Sequence, residues 1–143
     1  MAIKHSDLEE LAASWFEAVR DGIASEDEIA SHFVFPHGQA VAPDGTCLDS
    51  ARQRQLHQRF LNEKHVLGDF ELTQICDDPE RARAKGWVYF ETLYRADPER
   101  GVLKSIVGEE YILERCDDGK VRFVQYNSTF FATLPDSIPF DLG

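Results

Sequence analysis

A few residues in this chain have side chains that could move protons. His37 follows Phe35-Pro36, and an imidazole titrates near the working pH, so it could act as a base. The bland alternative is a loop histidine bonded to a backbone carbonyl. Glu109 and Glu110 adjoin in an apolar, strand-like run, where neighbouring side chains must point to opposite faces. One of them is therefore expected inward. A buried carboxyl without a cation has a raised pKa and can serve as a general acid, or it can simply take a structural hydrogen bond from Tyr111, Tyr126 or an arginine. Trp15, Tyr89, Tyr111 and Tyr126 could form an aromatic pocket whose polar tips orient a flat or greasy molecule. Aromatic stripes are more often plain core, but a filled core would have to satisfy every one of those tips internally.

The other reactive residue types show no working pattern. His32, His57 and His65 lack the spacing of a zinc site, so no metal is expected. Cys47, Cys76 and Cys116 are odd in number and far apart, which argues against a disulfide framework and marks them as small packing residues. With 15 basic and 26 acidic residues the net charge is −11, so a polyanion such as nucleic acid meets a repulsive field. Arg52, Arg54, Arg59 and Lys64 gather without interleaved aromatics and read as the solvated face of a helix. No apolar run is long enough for a membrane span, and the N-terminus lacks a signal-peptide core. A single cytoplasmic domain of 143 residues is the expectation.

The elements that must position these side chains change rhythm near the middle of the chain. Ser6-Asp7-Leu8-Glu9 has the form of a capping box, and Leu8, Leu11, Ala12, Trp15, Phe16 and Val19 recur at helical spacing up to Gly22. Ser25 opens a short second helix with Ile29 and Phe33 inward. The pieces Phe33 to Pro36 and Ala40 to Ala42 read as extended. Asp49 or Ser50 caps a third helix that ends near Lys64, with Leu56 and Phe60 inward. Strand patterns then run from Val66 to Cys76, Ala82 to Arg95, Val102 to Arg115 and Val121 to Thr133, joined by turn-forming segments such as Asp117-Asp118-Gly119. Short turns favour an antiparallel meander. The class is α+β: N-terminal helices packed on a curved, mainly antiparallel sheet that encloses a pocket. Both parities of the strands are apolar, so the sheet's other face is expected to meet a second copy of the chain.

This layout resembles the NTF2-like cone, the superfamily of SnoaL-like cyclases and ketosteroid isomerase. Residues Trp15-Phe16-Glu17-Ala18-Val19-Arg20-Asp21-Gly22 are similar to the first-helix segment of the isomerase, and the hairpin Cys116 to Val121 is similar to the last hairpin of that family. The resemblance sets a register in which Glu109, Tyr111 and Leu113 face the cavity from one strand and Val124, Tyr126 and Ser128 from the next, with Tyr89 and Glu91 beside them. It also implies differences. The isomerase's aspartate base has His37 as its nearest equivalent, its tyrosine donor is replaced by Trp15, and its buried acidic donor falls at Tyr111. Neither the Asp-Arg-Asp arrangement of the family's epoxide hydrolases nor the histidine pair of its dehydratases is legible in the sequence. The resemblance implies a small-molecule pocket for a hydrophobic or aromatic ligand and, for an enzyme, cofactor-independent isomerisation, dehydration or cyclisation. His37 would be the base, Glu109 or Tyr111 the proton donor or oxyanion partner, and Trp15, Tyr89 and Tyr126 the binding walls. The alternative is a noncatalytic ligand-binding or dimerisation module on the same fold.

Overall fold

A computed structural model describes residues 2–75 and 77–141. Helix α1 spans His5–Val19 and presents Leu8, Leu11, Ala12, Trp15 and Val19 as one buried stripe. It starts a residue before the expected box: Lys4 is the N-cap, and its backbone N–H donates to Asp7 Oδ2 at 2.8 Å. Helix α2 (Glu26–Ala30) is capped by Ser25, whose Oγ accepts from Glu28 N at 3.2 Å. The short strands β1 (Gln39–Val41) and β2 (Cys47–Leu48) follow. Helix α3 (Ser50–His57) is capped by Asp49, which accepts from Arg52 N at 2.8 Å.

The third helix stops at His57, well short of Lys64, because the chain turns at Gln58 and Arg59 and enters β3 (Phe60–Ile75) at once. Strands β4 (Asp78–Tyr94), β5 (Leu103–Arg115) and β6 (Val121–Thr133) complete an antiparallel meander. The six-stranded order is β2-β1-β6-β5-β4-β3, with β1 parallel to β6. The expected strand Val66 to Cys76 therefore begins six residues earlier, and Cys76 lies outside the described residues. Cys47 and Cys116 are free. No helix among the described residues is long and apolar enough to cross a membrane.

Bulges bend this sheet into a cone. Between β5 and β6 the register shifts at Gly108/Glu109 and again at Ile112/Leu113, so Phe123, rather than Val124, turns inward together with Tyr126 and Ser128. The concave side carries two apolar groups. One joins Leu8, Trp15, Ile29, Tyr111, Phe123 and Tyr126, and the other joins Phe60, Phe90, Tyr94 and Leu103. Residues 134–141 run back across the second group. There the Tyr94 hydroxyl donates to Pro139 O at 3.0 Å and accepts from Asp141 N at 2.7 Å, and the Phe140 ring lies 4.3 Å from that of Phe131.

Two strands approach closely where a side chain is missing. A Cβ on Gly86 would stand 2.3 Å from Asp69 O and 2.7 Å from the Phe70 ring. Gly86→Ala is therefore expected to lower stability by about 1–3 kcal/mol through overpacking, read as a reduced urea midpoint at unchanged m-value. A variant as stable as wild type would mean that the bulge beside Phe70 yields freely.

Candidate active site

Between the two apolar groups lies a cavity of about 450 Å³. Trp15, Val88 and Tyr126 contribute to its walls from one side, and Phe60, Phe90 and Phe131 from the other. Two polar clusters reach it, and each is built by a chain reversal.

The first cluster forms where the end of α1 meets the start of β3. Asp21 and Asn62 both adopt left-handed backbone, φ 57° in each case, a conformation that Asp and Asn tolerate better than most residues. The Asp21 carboxylate accepts from Asn62 N and Glu63 N, each at 3.0 Å, and Glu63 Oε2 in return accepts a short hydrogen bond from Asp21 N. Arg95 closes the knot by donating to Asp21 O at 3.0 Å and to Gln58 O at 2.9 Å. Held in this way, the buried Glu63 offers Oε1 to His57 Nδ1 at 2.5 Å. A carboxylate can only accept, so Nδ1 carries a proton, and in the neutral form of the ring the lone pair falls on Nε2; the ring lines the cavity. His65, two residues beyond Glu63 on the same face of β3, stacks on Phe16 at 4.7 Å and also lines the cavity. Burial, and then the neighbouring His57, push its pKa down to about 3, so it is neutral.

The second cluster sits on β5 and β6. Buried Glu109 receives a short hydrogen bond from the Tyr126 hydroxyl at Oε1 and one of 2.8 Å from Ser128 Oγ at Oε2. Burial drives its pKa up to about 8, against the pull of the hydroxyls of Tyr126, Ser128 and, farther off, Tyr111. Burial, reinforced by the charge of Glu109, also holds the phenols of Tyr111 and Tyr126 protonated far above their ordinary range. The Tyr111 hydroxyl is fully buried with no hydrogen-bond partner among the described residues; its ring stacks between Phe70 and Tyr126, at 5.3 and 4.8 Å.

Of the residues singled out in the sequence, Trp15, Glu109 and Tyr126 line this cavity, and Tyr111 lies one layer behind its wall. His37 stands in an exposed turn away from the cavity. Tyr89 points to the sheet's outer face, because its neighbours Val88 and Phe90 take the inner one; its hydroxyl donates to Glu91 at 2.8 Å. Two histidines that stand apart in the sequence meet in space, with the rings of His57 and His65 centred 6.2 Å apart. The sequence signal for this pair is the alternation Glu63-Lys64-His65, which has strand period, where the sequence reading ends the third helix near Lys64. Among the described residues no group of His, Cys, Asp and Glu is arranged to hold a metal ion.

No family model matches the sequence, and no curated protein matches it. Solved structures do. The hexachlorocyclohexane dehydrochlorinase LinA-type3 from Novosphingobium barchaimii superposes with a TM-score of 0.66 at 14% identity, over 96% of this chain and 94% of that one. A ketosteroid isomerase-like protein from Erwinia carotovora atroseptica gives 0.61 at 10% identity, over 90% and 95%. A provisionally assigned dehydratase of the NTF2-like family from Streptomyces avermitilis gives 0.66 at 11%, over 85% and 91%. These likenesses are of fold: the chain folds as an NTF2-like cone.

Glu109 holds its proton up to about pH 8 in the folded chain, against an ordinary value of 4.5. Between these values folding takes up a proton, so the contribution of this group to stability is present at low pH and is lost as the pH rises toward 8. Glu109→Gln removes that dependence. The melting temperature of the variant minus that of wild type is expected to rise steadily from pH 5 to 8 by calorimetry, and a flat difference would show that the buried carboxyl titrates ordinarily.

Proposed function

We propose that this NTF2-like chain is an acid/base enzyme of the isomerase, dehydratase or cyclase type, acting on a hydrophobic metabolite. One observation carries the reading: His57, already oriented by Glu63, and Glu109, buried among hydroxyls, line the same cavity. In the proposed reaction His57 Nε2 takes a proton from carbon, and Glu63 stabilises the imidazolium that results. Glu109 gives its proton to the oxygen on which negative charge develops, with Tyr126 and Ser128 fixing the carboxyl. Trp15 and Tyr126 act as walls, and Tyr111 supports Tyr126 from behind. The roles that the sequence assigned to His37 and Tyr89 pass in this proposal to His57 and to the Phe60 and Phe90 rings. Structural neighbours named as a dehydrochlorinase, a ketosteroid isomerase-like protein and a dehydratase support this class of chemistry.

We also infer that the chain pairs with a second copy through the outer face of its sheet. Trp87 and Phe130 are 38% and 49% exposed there, each ring lying across a glycine of the neighbouring strand, Gly68 and Gly108. Salt bridges at the margin, such as Arg83 with Glu110 at 3.2 Å, give this apolar centre a polar rim. Light scattering is expected to give twice the chain mass at micromolar concentration, and Trp87→Asp the single mass; a wild-type monomer would remove the inference.

Proton abstraction can be measured before the substrate is known. Bound 2-tetralone in deuterated water should exchange its α-hydrogens faster with the protein than without it, read by proton NMR. His57→Asn, whose amide can still donate to Glu63, is expected to slow the catalysed exchange by roughly 10²–10⁴-fold, whereas His37→Asn should leave it unchanged. Equal rates for wild type and His57→Asn would eliminate the dyad as the base, and no acceleration at all would leave the noncatalytic ligand-binding reading in its place.

A further inference from the structure

We propose that the cavity selects uncharged molecules, an apolar ring frame bearing one hydroxyl or carbonyl oxygen, and rejects carboxylates, phosphates and ammonium ions of the same shape. The inference rests on the reading above only for which end of the cavity meets the oxygen; the selection itself is a property of the walls.

Among the described lining residues there is no lysine or arginine. An entering anion would lose its hydration and meet no lysine or arginine in return, an unfavourable way to bury a charge. The carboxylates nearby add to the penalty. Glu63 stands behind His57, and Asp44 lies in the exposed turn Pro43 to Thr46 at the edge of the cavity, where hydrogen bonds from Thr46 hold its pKa below the ordinary value. The net charge of −11 repels anions before they arrive.

These negative charges do not turn the cavity into a cation site. Both oxygens of Glu63 are already taken, by His57 Nδ1 and Asp21 N, so an ammonium group finds no open carboxylate there. The walls also neutralise charge of either sign. His65 is a base driven to its neutral form and Glu109 an acid driven to its neutral form, and burial is the leading cause in both. A medium that discharges its own acid and its own base will discriminate against an ionised guest of either sign.

What remains is a neutral guest with a polar end. The rings of Trp15, Phe60, Phe90 and Phe131 provide an apolar slot, and about 450 Å³ lies within the range of ordinary small-molecule pockets. The hydrogen-bond partners of Glu109 are the hydroxyls of Tyr126 and Ser128, which can either give or accept, so a ketone oxygen and a hydroxyl are both satisfied there. A hydroxyl guest can then leave as water in one balanced step. The C–H bond breaks to His57 Nε2, the C=C bond forms, and the C–O bond breaks to an oxygen that takes the proton of Glu109.

The test uses four probes of one shape: 2-naphthol, 2-tetralone, 2-naphthoate and 2-naphthylmethylammonium, titrated calorimetrically into the wild-type protein at pH 7. The neutral pair is expected to bind at least about tenfold more tightly than either ion. Val107→Phe and Leu56→Phe, each filling the slot from a different element, should abolish neutral binding. Naphthoate or the ammonium probe binding as tightly as naphthol, failure of both neutral probes to bind at millimolar concentration, or neutral binding undiminished in two folded filling variants would each overturn the proposal. Selective binding without isotope exchange would sink the acid/base reading and leave this one standing, while exchange without selectivity would do the reverse.

Discussion

Two carboxylates facing each other across forty-two residues hold the site together. Asp21 lies in the turn just after the first helix and Glu63 near the start of the long strand β3, and each accepts the other's backbone N–H. Hydrogen bonds of this kind, with a charged acceptor, are each worth about 1.5–3 kcal/mol, more than a neutral pair. Asp21 and, one residue before Glu63, Asn62 have left-handed backbones, and the hydrogen bonds between the two turns hold both in place. The lock ties the turn after α1 to the start of β3 and aims Glu63 at His57. It also places His65, two residues on, at the cavity. Replacing either acid would leave buried backbone N–H groups unsatisfied and release the imidazole at the same time.

The two buried glutamates show how neighbours divide labour between chemically identical groups. Glu63 meets N–H donors only, from a backbone amide and an imidazole, and its task is to accept. Glu109 meets O–H groups only, which are indifferent to whether it gives or receives, and burial leaves it holding a proton. Two residues of one type thus come to differ by the choice of strand and neighbour.

Much of the architecture was legible. The change from helical to strand period, the turn at Asp117-Asp118-Gly119 and the cap at Ser25 all mark real boundaries, because local backbone chemistry alone decides them. That one of Glu109 and Glu110 turns inward was also readable, since strand neighbours take opposite faces, and the register that the resemblance sets points to Glu109, which is the buried one. The base end was not. Asn62, Glu63, Lys64 and His65 look like a solvated helix end, and what buries Glu63 is a partner at position 21 that no local window contains. The bulge that skips Val124 is likewise invisible in a period-two pattern. The resemblance points to His37 as the candidate base; the carboxylate beside His57 is a fact of tertiary structure.

The returning segment 134–141 gives the cavity two kinds of wall. Trp15, Val88, Glu109 and Tyr126 belong to elements whose side chains also make the core, so a change there is felt through the whole cone. Phe140 belongs to a stretch fastened at other positions, by backbone hydrogen bonds to the Tyr94 hydroxyl and the start of β5 and by the side chains of Asp136 and Ser137 at Lys104. Sequence can drift in such a stretch while its fastening persists. A lineage of these proteins could therefore change the shape of what it admits by editing a few residues of that wall, leaving the proton-transfer groups and the packed interior as they were inherited.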